Sequence, residues 1–243
     1  MIRLLEEVSL SAWPARSTAF LDGWILRSSQ GYTRRANSIQ PLYPGTLPSE
    51  KKIALCEQYY QHLSQPTIFK LTTAAEPTNL DGNLTDRGYT EEARSAVMTL
   101  PLNSSFDASA RVSLTPSATD DWLRAYTSLN AVPKQHHQTL AHIVRSIDLP
   151  TRFATLSHNG NTLSCGMAVH QADHLGLFDI VTHPQHRRQN LGTEVIQSLL
   201  QWGRHQGATV AYLQVMLNNQ PARRLYEQLK FQERYQYWYR VRT

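Results

Sequence analysis

The stretch from Leu175 to Leu217 limits the fold more than any other part of this 243-residue chain. A strand-like apolar run, Leu175 to Thr182, ends in a short polar loop carrying Arg187 and Arg188. Leu191, Val195, Ile196, Leu199 and Leu200 then repeat at helical spacing, and Thr209 to Leu217 reads as a further strand. A strand that turns directly into a helix is a ready anion site, because the first helical turn leaves amide hydrogens without partners and the helix dipole adds to their field. Arg187 and Arg188 add charge that cannot be titrated away. Gly192 removes a side chain where a phosphate must approach the backbone, and Asn190 is a residue that tolerates a left-handed backbone. The pattern fits a pyrophosphate. The same residues also describe a solvated loop ahead of an amphipathic helix, since short glycine motifs match by chance. The neighbouring segments break that tie.

Before this stretch, Arg111 to Leu114 reads as a strand, and a helix capped by Thr119 or Asp120 runs through Tyr126. Strands at Arg152 to Ser157 and Thr162 to His170 flank an Asn159-Gly160-Asn161 hairpin turn. After it, Pro221 suits a first helical turn, Ala222, Leu225, Tyr226 and Leu229 mark that helix's buried face, and Tyr235 to Val241 is the final strand. The earlier residues alternate strand-like Trp24 to Arg27, helix-like Glu50 to Leu63, and strand-like Thr67 to Leu71 and Ala96 to Leu100. Turn formers crowd Pro41 to Pro48 and Pro101 to Ser109, and a cut at the second places residues 1–102 in one domain and 103–243 in another. Leu84 to Tyr89 followed by a strand faintly echoes Leu225 to Phe231 followed by a strand, as two related α/β units would.

Hydrophobic residues at 41% and charged residues at 18%, without low-complexity runs, exclude a disordered chain. The N-terminal residues are too acidic and too short in apolar residues for a secretory signal, and no stretch reaches membrane-spanning length, so a cytoplasmic protein without membrane contact is expected. Cys56 and Cys165 have no metal-site spacing and read as buried apolar residues; no metal is expected. The net charge of +5 favours an acidic partner, which a nucleic acid, a membrane surface or a phosphorylated cofactor would each satisfy.

Thr182-His183-Pro184 followed by Arg187-Arg188-Gln189-Asn190-Leu191-Gly192 resembles the GNAT superfamily of N-acetyltransferases, whose phosphate loop reads Arg/Gln-x-x-Gly-x-Gly/Ala after a strand ending in Val-x-Pro. Asn190 stands at the first glycine, which is tolerable where the backbone is left-handed. Asn219, Ala222, Tyr226 and Phe231 match a second family element, with Lys230 at its usual glycine, and the aromatic strand Tyr237 to Arg240 is also typical. The likeness covers roughly the last 130 residues. The N-terminal part, with Trp13-Pro14-Ala15, Asp22-Gly23-Trp24 and Arg34 to Ser38, is similar to tandem GNAT proteins whose first half has lost its phosphate loop. The resemblance implies an α/β (α+β) fold: a twisted mixed sheet flanked by helices, with a second, smaller GNAT-like N-terminal unit.

It also implies roles by position. Ile180, Val181 and Thr182 would pair with the pantetheine arm of acetyl-CoA; Arg187, Arg188, Gln189, Asn190, Leu191, Gly192 and Thr193 would hold its pyrophosphate; Asn219 would contact the cofactor. Tyr226 would protonate the departing thiolate, a task suited to a hydroxyl with an ordinary pKa of ~10. The acceptor amine must lose a proton before attack. Where related ribosomal-protein N-terminal acetyltransferases carry a glutamate five residues before the asparagine, this chain has Gln214, so Asp179 is the first candidate base and His183 the second. Alternation along the strand puts Asp179 and Val181 on one face. Acetyl transfer to a primary amine of a peptide, protein or small molecule is the leading reading, and a non-catalytic acyl-CoA-binding regulatory module is the alternative. Nucleic-acid binding lacks a motif and the interleaved aromatics that stacking requires. The acceptor, acyl chain length and oligomeric state are not encoded in any pattern found.

Overall fold

The computed structural model describes residues 1–242, and the chain forms two compact units. The first contains Met1–Val97, Val215–Gln220 and residues 233–242, and the second Met98–Gln214 and Pro221–Gln232. In chain order the elements are α1 (Ile2–Ala12), β1 (Ser17–Leu21), β2 (Trp24–Ser28), β3 (Ile39–Pro41), α2 (Ser49–His62), β4 (Thr67–Thr72), α3 (Leu80–Asp86) and β5 (Thr90–Pro101). There follow β6 (Val112–Thr115), α4 (Asp120–Leu129), α5 (His137–Arg145), β7 (Thr151–His158), β8 (Asn161–Gln171), β9 (His174–Thr182), α6 (Leu191–His205), β10 (Val210–Met216), α7 (Gln220–Gln228) and β11 (Gln232–Arg242). The mixed α/β class expected from the sequence is present. Compared with one cut after residue 102, the units differ at residues 98–102, which fall in the second, and at residues 215–220 and 233–242. In the latter two the chain rejoins the first unit, because β11 pairs antiparallel with β4 from Tyr237↔Thr72 to Arg242↔Thr67.

In the first unit the strand order is β1-β2-β3-β4-β11-β5. Its core gathers Trp24, Ile39, Ile53, Tyr60, Phe69, Leu84 and Tyr89, with Trp24 edge-on to Phe69 at 5.5 Å. Helix α1, which the sequence reading did not anticipate, buries Leu5, Val8 and Ala12 at helical spacing, and Glu6 with them. A buried carboxylate is tolerable only with partners. Glu6 has two: it forms an ion pair with Lys70 and accepts the Tyr235 hydroxyl at 2.7 Å, while the Lys70 ammonium lies 4.1 Å from the Tyr237 ring centroid. Arg27 is also buried. Its guanidinium donates to the carbonyls of Arg35 (2.8 Å), Leu10 (3.1 Å) and Trp13, and burial lowers its pKa to about 10.

In the second unit β10-β9-β8-β7-β6 lie side by side. The turn between β7 and β8 has left-handed Asn159 and Gly160, φ 49° and 77°, as a two-residue hairpin requires. Thr119 caps α4 by accepting the Trp122 amide at 3.1 Å, and the Trp122 indole donates to the carbonyls of Ala154 and Gly166 at 3.2 and 3.3 Å. Helix α6 buries Leu191, Val195, Ile196, Leu199 and Leu200, the periodic set read from the sequence. Those contacts fix its first turn at the end of β9.

Candidate active site

Strand β9 parts from β10, while staying paired with β8, where the sequence turns from apolar to basic. Against β8 it pairs Cys165↔Val181 and Met167↔Phe178, so Asp179 and Ile180 together oppose Gly166 alone. This is a bulge, and Asp179 absorbs it at φ 56°. Aspartate is among the few non-glycine residues that tolerate that region. Gly166 lies opposite, where a Cβ would meet Ile180 Cδ1 at 2.3 Å and oblige that side chain to move. On the other side β9 pairs parallel with β10 from Val210↔His174 to Leu213↔Leu177. That register ends at Leu177 while β9 continues to Thr182, so Phe178 to Thr182 run on without β10 beside them. Backbone donors and acceptors along such an edge suit an extended, amide-bearing ligand arm. Ile180, Val181 and Thr182 lie there. The bulge interrupts strict alternation, so the expectation that Asp179 and Val181 share a face by simple two-residue period does not hold.

Beyond Thr182 the chain enters the basic loop. His183 Nδ1 accepts the Gln185 amide at 3.3 Å and caps a 3-10 turn, Pro184–His186, with its ring 5.3 Å from that of His186. One nitrogen of the second candidate base is therefore engaged locally. Arg187, Arg188 and Gln189 are exposed. Asn190 has φ 64° and ψ 5°, the left-handed geometry expected where the family pattern has glycine, and its carbonyl accepts the Glu194 amide at 3.1 Å. Its side chain makes no cap bond. The amides of Leu191, Gly192 and Thr193, one turn earlier, are those that an α-helix leaves without internal partners. A Cβ on Gly192 would lie 3.3 Å from Thr182 Oγ1 and 3.5 Å from Leu225 Cδ2, so the end of β9, the first turn of α6 and helix α7 converge on this glycine.

Tyr226 follows Leu225 on α7 and is buried, with its ring 6.0 Å from Phe231. Burial pushes its hydroxyl up to about 12. The helix stops in a Schellman turn: Phe231 N–H donates to Tyr226 O and Lys230 N–H to Glu227 O, both at 2.9 Å, and Lys230 takes the glycine-like φ of 71°. Asn219 lies in the turn before α7, in the segment grouped with the first unit, and its amide donates to Met216 O at 3.0 Å. Gln214 is half-buried one residue past the end of the β9–β10 register. Cys165 and Cys56 are buried and unbridged; burial, and the Asp179 charge after it, raise the Cys165 thiol far out of the nucleophilic range.

Two contributors escaped sequence reading. Gly166 admits the bulge. Ser164, fully buried, donates to Val181 O at 2.9 Å and shares a 2.9 Å hydrogen bond with the Thr182 hydroxyl, holding that side chain beside Gly192. Neither sits in a motif, and only the β8–β9 register would have flagged them. Among the described residues no cluster of histidine, cysteine or carboxylate side chains could hold a metal, and no helix is long and apolar enough to cross a membrane.

A family model described as "Probable histone acetyltransferase Rv0428c C-terminal" matches residues 1–240. The chain belongs to this family. It is 28% identical over 250 residues to an uncharacterized N-acetyltransferase, YobR, of Bacillus subtilis, covering 99% of this chain and 98% of that one. Its fold is similar to that of a GCN5-related N-acetyltransferase from Kribbella flavida, with a TM-score of 0.72, 16% identity, and coverage of 98% and 94%. A tandem GNAT protein from the clavulanic acid biosynthesis pathway matches with a TM-score of 0.61, 12% identity, and coverage of 98% and 87%. The protein is a GNAT-superfamily N-acetyltransferase, and that fold implies an acyl-CoA partner.

Proposed function

We propose that the protein transfers the acetyl group of acetyl-CoA to a primary amine of a peptide, a protein or a small molecule in the cytoplasm. The observation that carries this reading is the convergence of the open β9 edge, the basic loop and the α6 first turn on Gly192. Ile180, Val181 and Thr182 would pair with the pantetheine amides. The backbone from Arg187 to Thr193, with the two arginines, would receive the pyrophosphate, and Asn219 would contact the cofactor or its water shell.

The height of the Tyr226 pKa decides how it would act. Full transfer from a hydroxyl near 12 to a thiolate with an ordinary pKa of ~8.5 is uphill by roughly three thousandfold. Tyr226 therefore serves as a hydrogen-bond donor to the sulfur as charge develops there, with the final proton coming from water. Asp179, held at the bulge, is the carboxylate we assign to draw the acceptor ammonium in and relay its proton. Gln214 has no basic function to offer at its position.

Gly192→Glu tests the cofactor site. The unliganded fold needs neighbours to move by only a few tenths of an ångström for a Cβ, but a carboxylate there opposes the pyrophosphate by bulk and charge. Calorimetry should show acetyl-CoA binding to the parent and none to the folded variant, and thiol release with an amine panel should fall in parallel. Unchanged affinity would remove the cofactor from this place.

A further inference from the structure

Helix α6 carries an acid, Glu194, in the same first turn that presents its amides to the proposed phosphate site. Left alone, a carboxylate on a residue only one to three positions, ~1.5–4.5 Å along the helix axis, from those amides would repel a pyrophosphate. It is not left alone. The segment leading into β6 lies along α6 and is tied to one face of it: Phe106 N–H donates to Gln201 Oε1 at 3.0 Å, Ser109 N–H to Ser198 Oγ at 3.1 Å, and Ser109 Oγ to Glu194 Oε2 at 2.6 Å. Positions 194, 198 and 201 share a helical face, so the strap follows the helix toward its N-terminus. There Arg111 grips Glu194 with a fork, Nε on Oε2 at 3.1 Å and Nη2 on Oε1. Burial would raise the Glu194 carboxyl, but the Ser109 hydroxyl and Arg111 outweigh it and hold the group below the usual range. Glu194 is therefore a fixed anion with a fixed counterion.

We infer that Arg111 is a positioning residue for cofactor binding: it neutralises Glu194 and turns its carboxylate toward the strap, so that an incoming pyrophosphate meets the amides and arginines of the loop without an opposing charge. The inference rests on the proposal that the α6 first turn receives the pyrophosphate. Arg111 needs no contact with the ligand, and its role vanishes when Glu194 loses its charge. Two phosphate charges about 8 Å from a bare carboxylate in a largely aqueous environment correspond to roughly a fivefold to thirtyfold loss of affinity.

The test is calorimetric titration of acetyl-CoA into the parent chain, Arg111→Ala, Glu194→Gln and the double variant, at ~0.05 M and ~0.5 M salt. Arg111→Ala should weaken binding about fivefold to thirtyfold at low salt and less at high salt. Glu194→Gln should bind at least as tightly as the parent, and the double variant, with both charges removed, should return to the parental affinity. A merely structural Arg111 would weaken binding in both backgrounds without salt dependence, and that result overturns the inference. So does parent-like affinity in Arg111→Ala. Should Arg111→Ala not fold, weaker binding by Glu194→Gln alone overturns it. A parent chain that fails to bind acetyl-CoA at all removes the cofactor site together with the inference, whereas a binding parent with an indifferent Arg111 removes the inference alone.

Discussion

Each unit contains one parallel β–α–β crossover, and the two treat the turn before the helix in opposite ways. After β9 the chain passes His183 to Asn190, collects two arginines, and enters α6 at Leu191, with Gly192 next. After β3, which pairs parallel with β4 through Ile39↔Phe69, the chain passes Leu42 to Pro48 and enters α2. There the loop amides are already taken. Asp22, from the β1–β2 turn, accepts the Thr46 amide and hydroxyl on Oδ1 at 2.9 and 3.2 Å and the Leu47 amide on Oδ2 at 2.8 Å, with Lys52 3.4 Å from that same Oδ2. An external phosphate would have to displace this internal carboxylate. The helix ends differ likewise: α3 closes with Tyr89 N–H on Leu84 O and Gly88 N–H on Thr85 O, the same Schellman pattern as α7, but Leu84 stands where α7 has Tyr226. Similar backbone devices thus carry a proposed cofactor site in one unit and self-contained packing in the other. In the first unit the loop ahead of the helix is filled by the chain's own carboxylate, and in the second the loop ahead of the helix is basic.

The sharpest break in this comparison is at Tyr226 against Leu84. Tyr226→Phe keeps the ring against Phe231 and removes the hydroxyl, so folding and acetyl-CoA affinity should change little while the turnover number falls by roughly 10²–10³-fold, the effect of losing one hydrogen-bond donor to developing charge. Steady-state thiol release with a confirmed acceptor, beside calorimetry, separates the outcomes. A parallel loss of stability would make Tyr226 a core packing residue, as Leu84 is.

A second prediction tests whether charge in the first unit serves stability. Lys70→Met leaves Glu6 buried without its counterion and should cost about 3–5 kcal/mol, seen as a large drop in thermal midpoint. Adding Glu6→Gln should recover part of that loss, and acetyl-CoA affinity of the folded molecules should stay at the parental value. Lost affinity in a folded Lys70→Met protein would show that the two units do not divide stability and binding in this way.

Much of the proposed site was legible because its signals are local. The 3.6-residue period of Leu191 to Leu200 and the basic loop mark the turn into α6, and Asn190 and Lys230 stand at glycine positions where the backbone is left-handed. The faint repeat also has a physical counterpart, since both segments end in the same Schellman turn. What escaped depends on partners far along the chain. Glu6 makes α1 look too polar to bury, because Lys70 and Tyr235 are invisible from its sequence neighbourhood. The bulge at Asp179 and Ile180 leaves the apolar pattern unbroken, and the residue it faces, Gly166, is on another strand. The return of β11 to β4 is a long-range pairing that a linear cut at residue 102 has no means to express.

The smallest expected effect concerns Asp22, the internal anion itself. Hydrogen bonds from the Thr46 and Leu47 amides, with Lys52 contributing, hold its carboxyl down at about 2, below its ordinary value near 3.8. A depressed folded value means that the unfolded chain binds the proton more readily. The stabilisation is therefore complete above about pH 4 and is lost as pH falls toward about 2. Asp22→Asn is the informative change, because asparagine also tolerates the φ of 44° found there and retains an oxygen for one of the amides. Thermal midpoints of the parent should exceed those of the variant modestly at pH 6, and the gap should close between about pH 4 and pH 2 as the parent's carboxyl is protonated. Raised salt should narrow the gap at pH 6, since the group is near the surface. A gap that persists unchanged at pH 2 would mean that the carboxylate's charge is not what occupies the β3–α2 turn. The contrast between the two crossovers would then rest on shape alone.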